Sequence, residues 1–396
     1  MEAIKRVRLS EIAELITKGT TPTTLGYNFQ EDGVNFLKIE CFSEDGTYIK
    51  EKTAHISEEC HEKLKRSKLR TGDILFSIAG AIGRVAVVTE EMLPANTNQA
   101  LAIIRVTRDD IYLPYIKLIL TSQIVKAQFE RKKQGVAQLN ISLKDINELE
   151  IPLPEKSKQI ECASLLEKIS GIITARQKQL QKLDELVKAR FVEMFGSPVS
   201  NPLSWRKRTL KEVCIKLNDG THFSPESYET GQYKYITAKN IKLSGFDFSN
   251  ITYVPEEVHR PIYERCNPEM GDVLYIKDGA TTGIAMVNTL KEEFTLLSSV
   301  ALLKQDRLVI NGHFLAALLN NEDMYIDIRN NMGGAAITRL TIAKLNAIKV
   351  IVPPIEIQNK FAAFVEQVDK LKAAVQKSLD EAQLLFDSLM QTYFDE

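Results

Sequence analysis

The sequence predicts an α+β protein: two similar mixed α/β domains separated by a long antiparallel two-helix coiled coil, pseudo-two-fold and pseudo-circular in order. Three observations predict it. The chain of 396 residues repeats itself at an offset of 199: Gly72-Asp73-Ile74-Leu75 returns as Gly271-Asp272-Val273-Leu274, Gly135 as Gly334, Ser142-Leu143 as Thr341-Ile342, Pro154 as Pro353 and Gln159 as Gln358. A period this long marks a domain-sized unit, far beyond a solenoid repeat. Each copy ends in a sustained apolar heptad pattern, and inside each copy short apolar runs alternate with Gly and Asp turns.

In the first copy the β-like runs are Asn35–Ile39, Ile74–Ile78, Arg84–Val88 and Leu101–Ile104. A helix then fits Pro114 to about Glu130, with Ile116, Leu120, Ile124 and Ala127 on one face, ended by Gly135. The second copy gives strands at Tyr235-Ile236, Val273–Ile276, Ala285–Val287 and Val300–Leu303, then a helix near Gly312 to Ile328 and a break at Gly333-Gly334.

Spacings of three and four follow. They pick out Leu166, Ile169, Ile173, Arg176, Leu180, Leu183, Val187, Arg190 and Met194, then Val365, Val368, Lys372, Val375, Leu379, Ala382, Phe386, Leu389 and Tyr393. This is a coiled-coil seam in both copies. Arg176, Arg190 and Lys372 are polar intruders that either snorkel from the seam edge or fix its register. The first helix ends near Gly196 and a short linker, Ser197 to Trp205, leads into the second domain, from which the second helix starts near Gln358. Both helix ends therefore meet at the second domain, so the helices should run antiparallel. The expected division is 1–155 and 197–355 for the domains, 156–196 and 356–396 for the helices. At about 1.5 Å per residue, helices of this length would hold the domains about 50 to 57 Å apart. Two rigidly spaced readers suit an extended partner, and duplex DNA repeats every 34 to 36 Å.

Composition narrows the classes. A 44% hydrophobic content is globular. Net charge is −1, and the two domains are each near neutral, so a polyanion site must be a local patch. The helical segments carry +3 and −4, signs that favour pairing with each other. Five scattered cysteines, none in a Cys-x-x-Cys pair, argue against a disulfide framework and a zinc site. Cys60 and His61 are neighbours, and adjacent side chains rarely converge on one ion. The start, Met1 to Arg6, has no signal-peptide pattern and no apolar run approaches 18 residues, so a cytoplasmic location is expected.

Catalytic signatures are missing as well. There is no Gly-x-x-x-x-Gly-Lys loop, and Gly279-Ala280-Thr281-Thr282-Gly283 lacks the lysine that would contact phosphate. Asn267-Pro268 continues as Glu269-Met270 rather than the Pro-aromatic expected of an amino-methyltransferase.

Pro152-Leu153-Pro154 leading into Gln159, Pro353-Pro354 leading into Gln358, the Phe191–Gly196 helix end and the Gly-Asp-aliphatic strands with their glycine turns together resemble the specificity subunit of type I restriction-modification enzymes. The resemblance spans the whole chain. It implies that each globular part is a target recognition domain reading one half of a bipartite, asymmetric DNA site. It implies that the helices set the spacer and dock two methyltransferase subunits for N6-adenine methylation. The chain would then be a non-catalytic targeting subunit with no cofactor of its own. S-adenosylmethionine would belong to the methyltransferase, and ATP with Mg to restriction motor subunits where these join.

Positions that differ within loops shared by the two copies are the candidates for reading two different half-sites. The first loop pairs Lys18-Gly19-Thr20-Thr21-Pro22-Thr23 with Asp219-Gly220-Thr221-His222-Phe223-Ser224; glycine sets a turn and small hydroxyls suit phosphate or base-edge contacts. The second pairs Ser77–Arg84 with Ile276–Gly283, where the Gly279–Gly283 turn is one residue longer than Gly80–Gly83, and offers Ser77, Arg84, Lys277, Asp278, Thr281 and Thr282. Arg84 and Lys277 suit phosphate or guanine, whereas Asn96, Asn98, Gln99 and Asn240, beside Lys239, have amides that suit adenine. The third pairs Arg131–Gly135 with Gln138 against Arg329–Gly334 with Arg339, where Lys133, Gln134, Gln138, Arg329, Asn331 and Arg339 are candidates for backbone clamping. A plain solvated turn stands as the alternative for each loop. For the whole chain the alternatives are a coiled-coil scaffold without DNA specificity and an autonomous methyltransferase or nuclease.

Overall fold

The computed structural model describes residues 5–131, 141–330 and 340–394. These divide into two compact units, one formed by 1–175 with 378–396 and the other by 176–377. The division falls inside the two long helices, so each unit owns part of both.

In the first unit the strands are β1 (Arg6–Arg8), β2 (Leu15–Lys18), β3 (Val34–Leu37), β4 (Ala54–Ile56), β5 (Ile74–Ser77), β6 (Val85–Val87), β7 (Ala95–Thr97), β8 (Leu101–Arg105) and β9 (Glu150–Pro152). The helices are α1 (Leu9–Ile12), α2 (Glu58–Lys63), α3 (Leu113–Thr121), α4 (Gln123–Arg131), α5 (Leu143–Asn147) and α6 (Lys156–Phe195), the last shared with the second unit. A four-stranded antiparallel sheet has the order β2-β8-β5-β6, and a three-stranded sheet has the order β4-β3-β7 with β3 and β7 parallel. β1 pairs with β9. The central strands β5 and β8 are buried along their whole length because both faces are covered. Ile74, Phe76, Ala102 and Ile104 face the helical side, while Leu75, Leu101 and Ile103 face the smaller sheet. Burial on both faces is why these strands read as unbroken apolar runs rather than alternating ones.

The second unit repeats this plan. Its strands are β10 (Lys207–Thr209), β11 (Cys214–Asp219), β12 (Tyr233–Ile236), a small hairpin of β13 (Ile241–Lys242) and β14 (Gly245–Phe246), β15 (Thr252–Val254), β16 (Val273–Ile276), β17 (Ala285–Val287), β18 (Phe294–Leu296), β19 (Val300–Gln305) and β20 (Lys349–Ile351). Its helices are α7 (Leu210–Val213), α8 (Glu256–Arg265), α9 (Gly312–Leu319), α10 (Glu322–Asn330), α11 (Ile342–Ala347) and α12 (Ile355–Phe394). The sheets are β11-β19-β16-β17 and β15-β12-β18, again with one parallel pair, and β10 pairs with β20.

The single helices expected after the fourth strand are each two helices. Ser122 sits extended between α3 and α4, at φ −71° and ψ 162°. The break re-aims the second segment, so Val125 and Phe129 are buried in the core, while the expected Ile124 packs against it half-buried and Ala127 is half-buried too. Asn320 separates α9 from α10, and its side-chain amide pairs with the backbone N–H and C=O of Ala285 at 2.9 and 2.7 Å. Both breaks answer to tertiary packing, which a linear pattern does not display.

The repeated Gly-Asp is a scaffold device. Gly72 and Gly271 take φ values of 86° and 91°, which favour glycine. Asp73 then accepts the Arg70 N–H at 2.8 Å and Asp272 accepts the Glu269 N–H at 2.9 Å. Each carboxylate also holds a cation from the neighbouring strand: Arg105 grips Asp73 through two bonds of 2.7 Å, and Lys304 lies 3.1 Å from Asp272.

The repeated glutamine is equally structural. Gln159 and Gln358 are buried at the start of the long helices. Gln159 accepts the Tyr112 N–H at 2.9 Å and donates to the carbonyls of Pro154 and Asp110 at 2.8 and 3.1 Å. Gln358 does the same with Asn311 N–H at 2.9 Å, Pro353 O at 2.7 Å and Val309 O at 3.2 Å. Replacing either by Ala strands one N–H and two carbonyls, at a cost of about 1 to 3 kcal/mol per buried group left unpaired. Denaturant unfolding of Gln358→Ala should therefore show a clear loss of stability; a midpoint unchanged from wild type would contradict this role.

Within each unit the two long helices lie side by side in opposite directions. In the second unit Lys372 Nζ is 2.5 Å from Asp184, Arg190 stacks over Phe364 at 5.9 Å, and Phe191 and Phe195 both pack against Phe361. In the first unit Leu166 shares its core with Phe386, Leu389 and Tyr393, and Phe394 meets Tyr115 at 5.6 Å. The seam positions Leu166, Ile169, Val365, Val368 and Val375 are buried, and Ile173, Leu180, Leu183, Val187, Leu379, Phe386 and Leu389 are half-buried. Neighbours off the seam, such as Ile172 and Leu384, are exposed. Of the polar seam residues, Lys372 bonds across to the other helix, whereas Arg176 and Arg190 bond Gln179 and Glu193 on their own.

Among the described residues no helix is long and apolar enough to cross a membrane.

Candidate nucleic-acid interface

In each unit the first two loops singled out from the sequence, with the segment before β8 or its counterpart before β19, meet at one end of the four-stranded sheet. β2 and β5 end there and β8 and β6 begin there, so the segments after Lys18, after Ser77 and before Leu101 are neighbours by topology. In the first unit Thr20 N–H donates to Thr97 O at 3.2 Å, Ile78 N–H to Ala100 O at 2.9 Å and Ile141 N–H to Ile78 O at 3.2 Å. The second unit repeats the pattern: Thr221 N–H to Leu296 O at 2.8 Å, Lys277 N–H to Ser299 O at 2.9 Å and Leu340 N–H to Lys277 O at 2.9 Å.

The loop glycines serve this convergence rather than a turn. Neither Gly19 nor Gly220 has a positive φ. A Cβ on Gly19 would stand 1.8 Å from Thr97 O, and one on Gly220 1.9 Å from Leu296 O. Close backbone approach is what demands glycine at both places.

On this common frame the side chains differ. In the first unit Lys18, Thr23 and Gln99 are exposed, and Thr20, Thr21, Arg84 and Asn98 are half-buried. Thr21 Oγ1 donates to Gln99 Oε1, tying two of the loops together. Arg84 is less free than expected, since its Nη1 donates to Phe42 O at 2.9 Å. In the second unit His222, Lys239 and Thr281 are exposed, with Asp278 and Arg329 half-buried. Arg329 donates to the Tyr325 hydroxyl at 2.6 Å.

Six of the candidates are buried, which corrects the surface role expected for them. Ser77 donates to Ala79 O at 2.9 Å, and Thr282 to Gly279 O at 2.7 Å. Asn96 is fully buried, donating to Leu64 O and Ser67 Oγ at 3.1 Å each and accepting from His61 Nδ1. Asn240 accepts Thr237 N–H at 3.0 Å and donates to Asp247 O at 3.1 Å. Thr221 is enclosed by the loop, and Lys277 is sealed between Asp219 and Asp278. A short polar residue inside an apolar run is as often a buried, satisfied group as an exposed reader. Lys133, Gln134, Gln138, Asn331 and Arg339 lie outside the described residues.

The structure also brings together residues that the sequence did not single out. His61 on α2 meets Asn96 of β7, and at the matching place His259 on α8 meets Thr295 of β18 at 2.8 Å. Burial pushes the His259 imidazole below its ordinary range, and the Glu293 carboxylate opposes that shift. The two histidines are 198 rather than 199 apart, so a fixed offset hides them. Around His61, Glu58 and Glu62 bring ligand atoms within 4.8 Å of one another, but Glu62 is neutralised by Lys68 and His61 is held by Asn96. The thiols of Cys162, Cys214 and Cys266 are pushed up to about 12 by burial, which keeps them protonated and unreactive.

The family model for the type I restriction modification DNA specificity domain matches the chain twice, at residues 1–185 and 202–383. The chain belongs to this family. Specificity subunits, as a family, target rather than catalyse. Over 182 residues the chain is 28% identical to the type I restriction enzyme EcoBI specificity subunit of Escherichia coli, a match covering 44% of this chain and 37% of that one. It is 20% identical to the MjaIX specificity subunit of Methanocaldococcus jannaschii over 97% of this chain and 90% of that one. Among solved structures, the S subunit of a type I restriction-modification system from M. genitalium superposes with a TM-score of 0.57 at 16% identity, covering 100% and 97% of the two chains. A structure from a study of type I complex assembly and conformational transition gives a TM-score of 0.60 at 18% identity, covering 99% and 98%. These likenesses show the same fold, two specificity domains each joined to a long helix.

Proposed function

We propose that each unit reads one half of a bipartite, asymmetric site in duplex DNA through the loops at its sheet end, and that the two long helices set the spacer and dock two methyltransferase subunits. The observation that carries this reading is a shared frame with unlike surfaces. The same backbone bonds assemble the loops in both units, yet Lys18, Thr21 and Gln99 of one are replaced by Asp219, His222 and Ser298 in the other. A protein reading one symmetric site twice would need the same residues twice. Adenine methylation would use S-adenosylmethionine held by the partner methyltransferase, and restriction would use ATP and Mg on motor subunits; this chain supplies the address.

Exposed residues at the sheet end should divide into two kinds. Gln99→Ala should lose about 1 to 3 kcal/mol of discrimination at one base pair of one half-site, as a bidentate amide contact would. Lys18→Ala should weaken binding about equally on all sequences and make its salt dependence shallower by about one unit, as a phosphate contact would. Mobility shifts of the full chain, alone and with its methyltransferase partners, on duplexes varied base by base would check both. Absence of sequence preference in both conditions would contradict the reading and favour a scaffold.

A further inference from the structure

Lys277 has no place on a DNA-facing surface, because its side chain is only 2% exposed. Its ammonium lies 2.9 Å from Asp278 and 3.3 Å from Asp219, itself 4% exposed. Asp219 ends β11 and opens the first loop. Its other oxygen meets His222 Nε2 at 3.1 Å and Arg265 at 3.4 Å, and Arg265 also donates to Gly220 O. Two separate segments, at the end of β16 and the end of α8, are thus tied to the first residues of one loop, which His222 also ties to itself. The loop goes on to present His222 at 58% side-chain exposure and Phe223 at 60%.

The matching positions in the first unit are Lys18 and Ile78. Both register with the same neighbours: Lys18 pairs with Ala102 as Asp219 pairs with Ala301, and Ile78 accepts from Ile141 as Lys277 accepts from Leu340. There Lys18 is exposed, Ile78 is a buried core residue, and the loop is fastened from outside by Thr21 and Gln99. The frame therefore folds without an internal ion pair. A buried ion pair is rarely more stabilising than apolar residues of similar volume, since desolvating two charges offsets their attraction, but its directional bonds fix orientation.

We propose that Asp219 and Lys277 act together as positioning residues for the second unit's half-site: while their buried charges are matched the Gly220–Ser224 loop keeps its reading conformation, an unmatched charge displaces it, and neither residue touches DNA. This rests on the recognition function proposed above. Removing the lysine alone leaves Asp219 held through one oxygen only, by Arg265 and His222, with its other oxygen buried and unpaired, so the carboxylate shifts toward those two partners and drags the loop with it. Removing both charges takes away the cause of that movement.

The test uses the full chain assembled with its methyltransferase partners. Methylation rates are measured on duplex sets varied at one half-site and then at the other, for wild type, Lys277→Met and the double variant Asp219→Asn with Lys277→Met. Discrimination at one half-site should fall at least about tenfold in Lys277→Met, with the other half-site read normally, and the double variant should return to within about threefold of wild type. Should Lys277→Met fail to fold, the double variant compared with wild type decides alone. A double variant that discriminates as poorly as the single one, while still reading the other half-site, would assign Lys277 a direct contact and overturn the proposal. So would a single variant that discriminates as wild type does. A wild-type assembly that reads neither half-site would instead contradict the recognition function.

Discussion

Inserting one heptad into each long helix should lengthen the preferred spacer between the two half-sites while leaving both half-site sequences unchanged. Seven residues add about 10 Å of helix, equivalent to about 3 base pairs at 3.4 Å each. A heptad returns the seam to nearly the same face, within about 20°, so Leu166, Ile169 and Val187 keep their packing against the opposite helix. Duplex geometry works against the full shift, because three base pairs rotate one half-site by roughly 100° about the helical axis. The expected change is thus one to about three base pairs, read by selecting methylated sites from duplexes with randomised spacers. A spacer that does not move would contradict the idea that these helices set it.

Arg105→Ala should be the most damaging single truncation in the first unit. The guanidinium makes two bonds of 2.7 Å to Asp73, whose side chain is 1% exposed, and reaches Lys68 O at 3.4 Å. Truncation leaves a carboxylate buried without its cation, a loss of about 3 to 5 kcal/mol. For a unit of this size that is a fall in Tm of roughly 6 to 20 °C. Lys304→Ala, the equivalent change in the second unit, should cost less, because Asp272 keeps Arg307 at 3.6 Å. Calorimetry of the two variants checks the order; equal and small losses would show that the repeated Gly-Asp motif is not held by its cation.

Much of the architecture was legible because the chain states it twice. The central strands announce themselves as apolar runs, since β5, β8, β16 and β19 are covered on both faces, and the seam keeps its period from Leu166 to Met194 in α6 and from Val365 to Tyr393 in α12. Short strands such as β7, built from Ala95-Asn96-Thr97, carry no such signal and are defined only by their partners. The break at Ser122 was equally hidden, because a serine is tolerated in a helix and only packing forces it out.

The site was half legible. Comparing the two copies found loops that the structure brings together in each unit, since loops that share a frame occupy the same place in the order of elements. It could not say which side chains of those loops face outward. Lys277 and Asn96 look like readers in sequence and are buried, because their partners Asp219 and His61 lie 58 and 35 residues away. Phe223 went unnoticed as an exposed residue for the converse reason, that aromatic residues are usually interior.

The central claim, that one chain with two unlike readers specifies one asymmetric site, is tested most directly by mapping methylated adenines in DNA from cells carrying this chain and its methyltransferase partner. The account predicts a single motif of two different half-sites separated by a fixed stretch of unspecified base pairs, with one methylated adenine in each half. A continuous motif, two identical inverted halves, or methylation without sequence preference would contradict it.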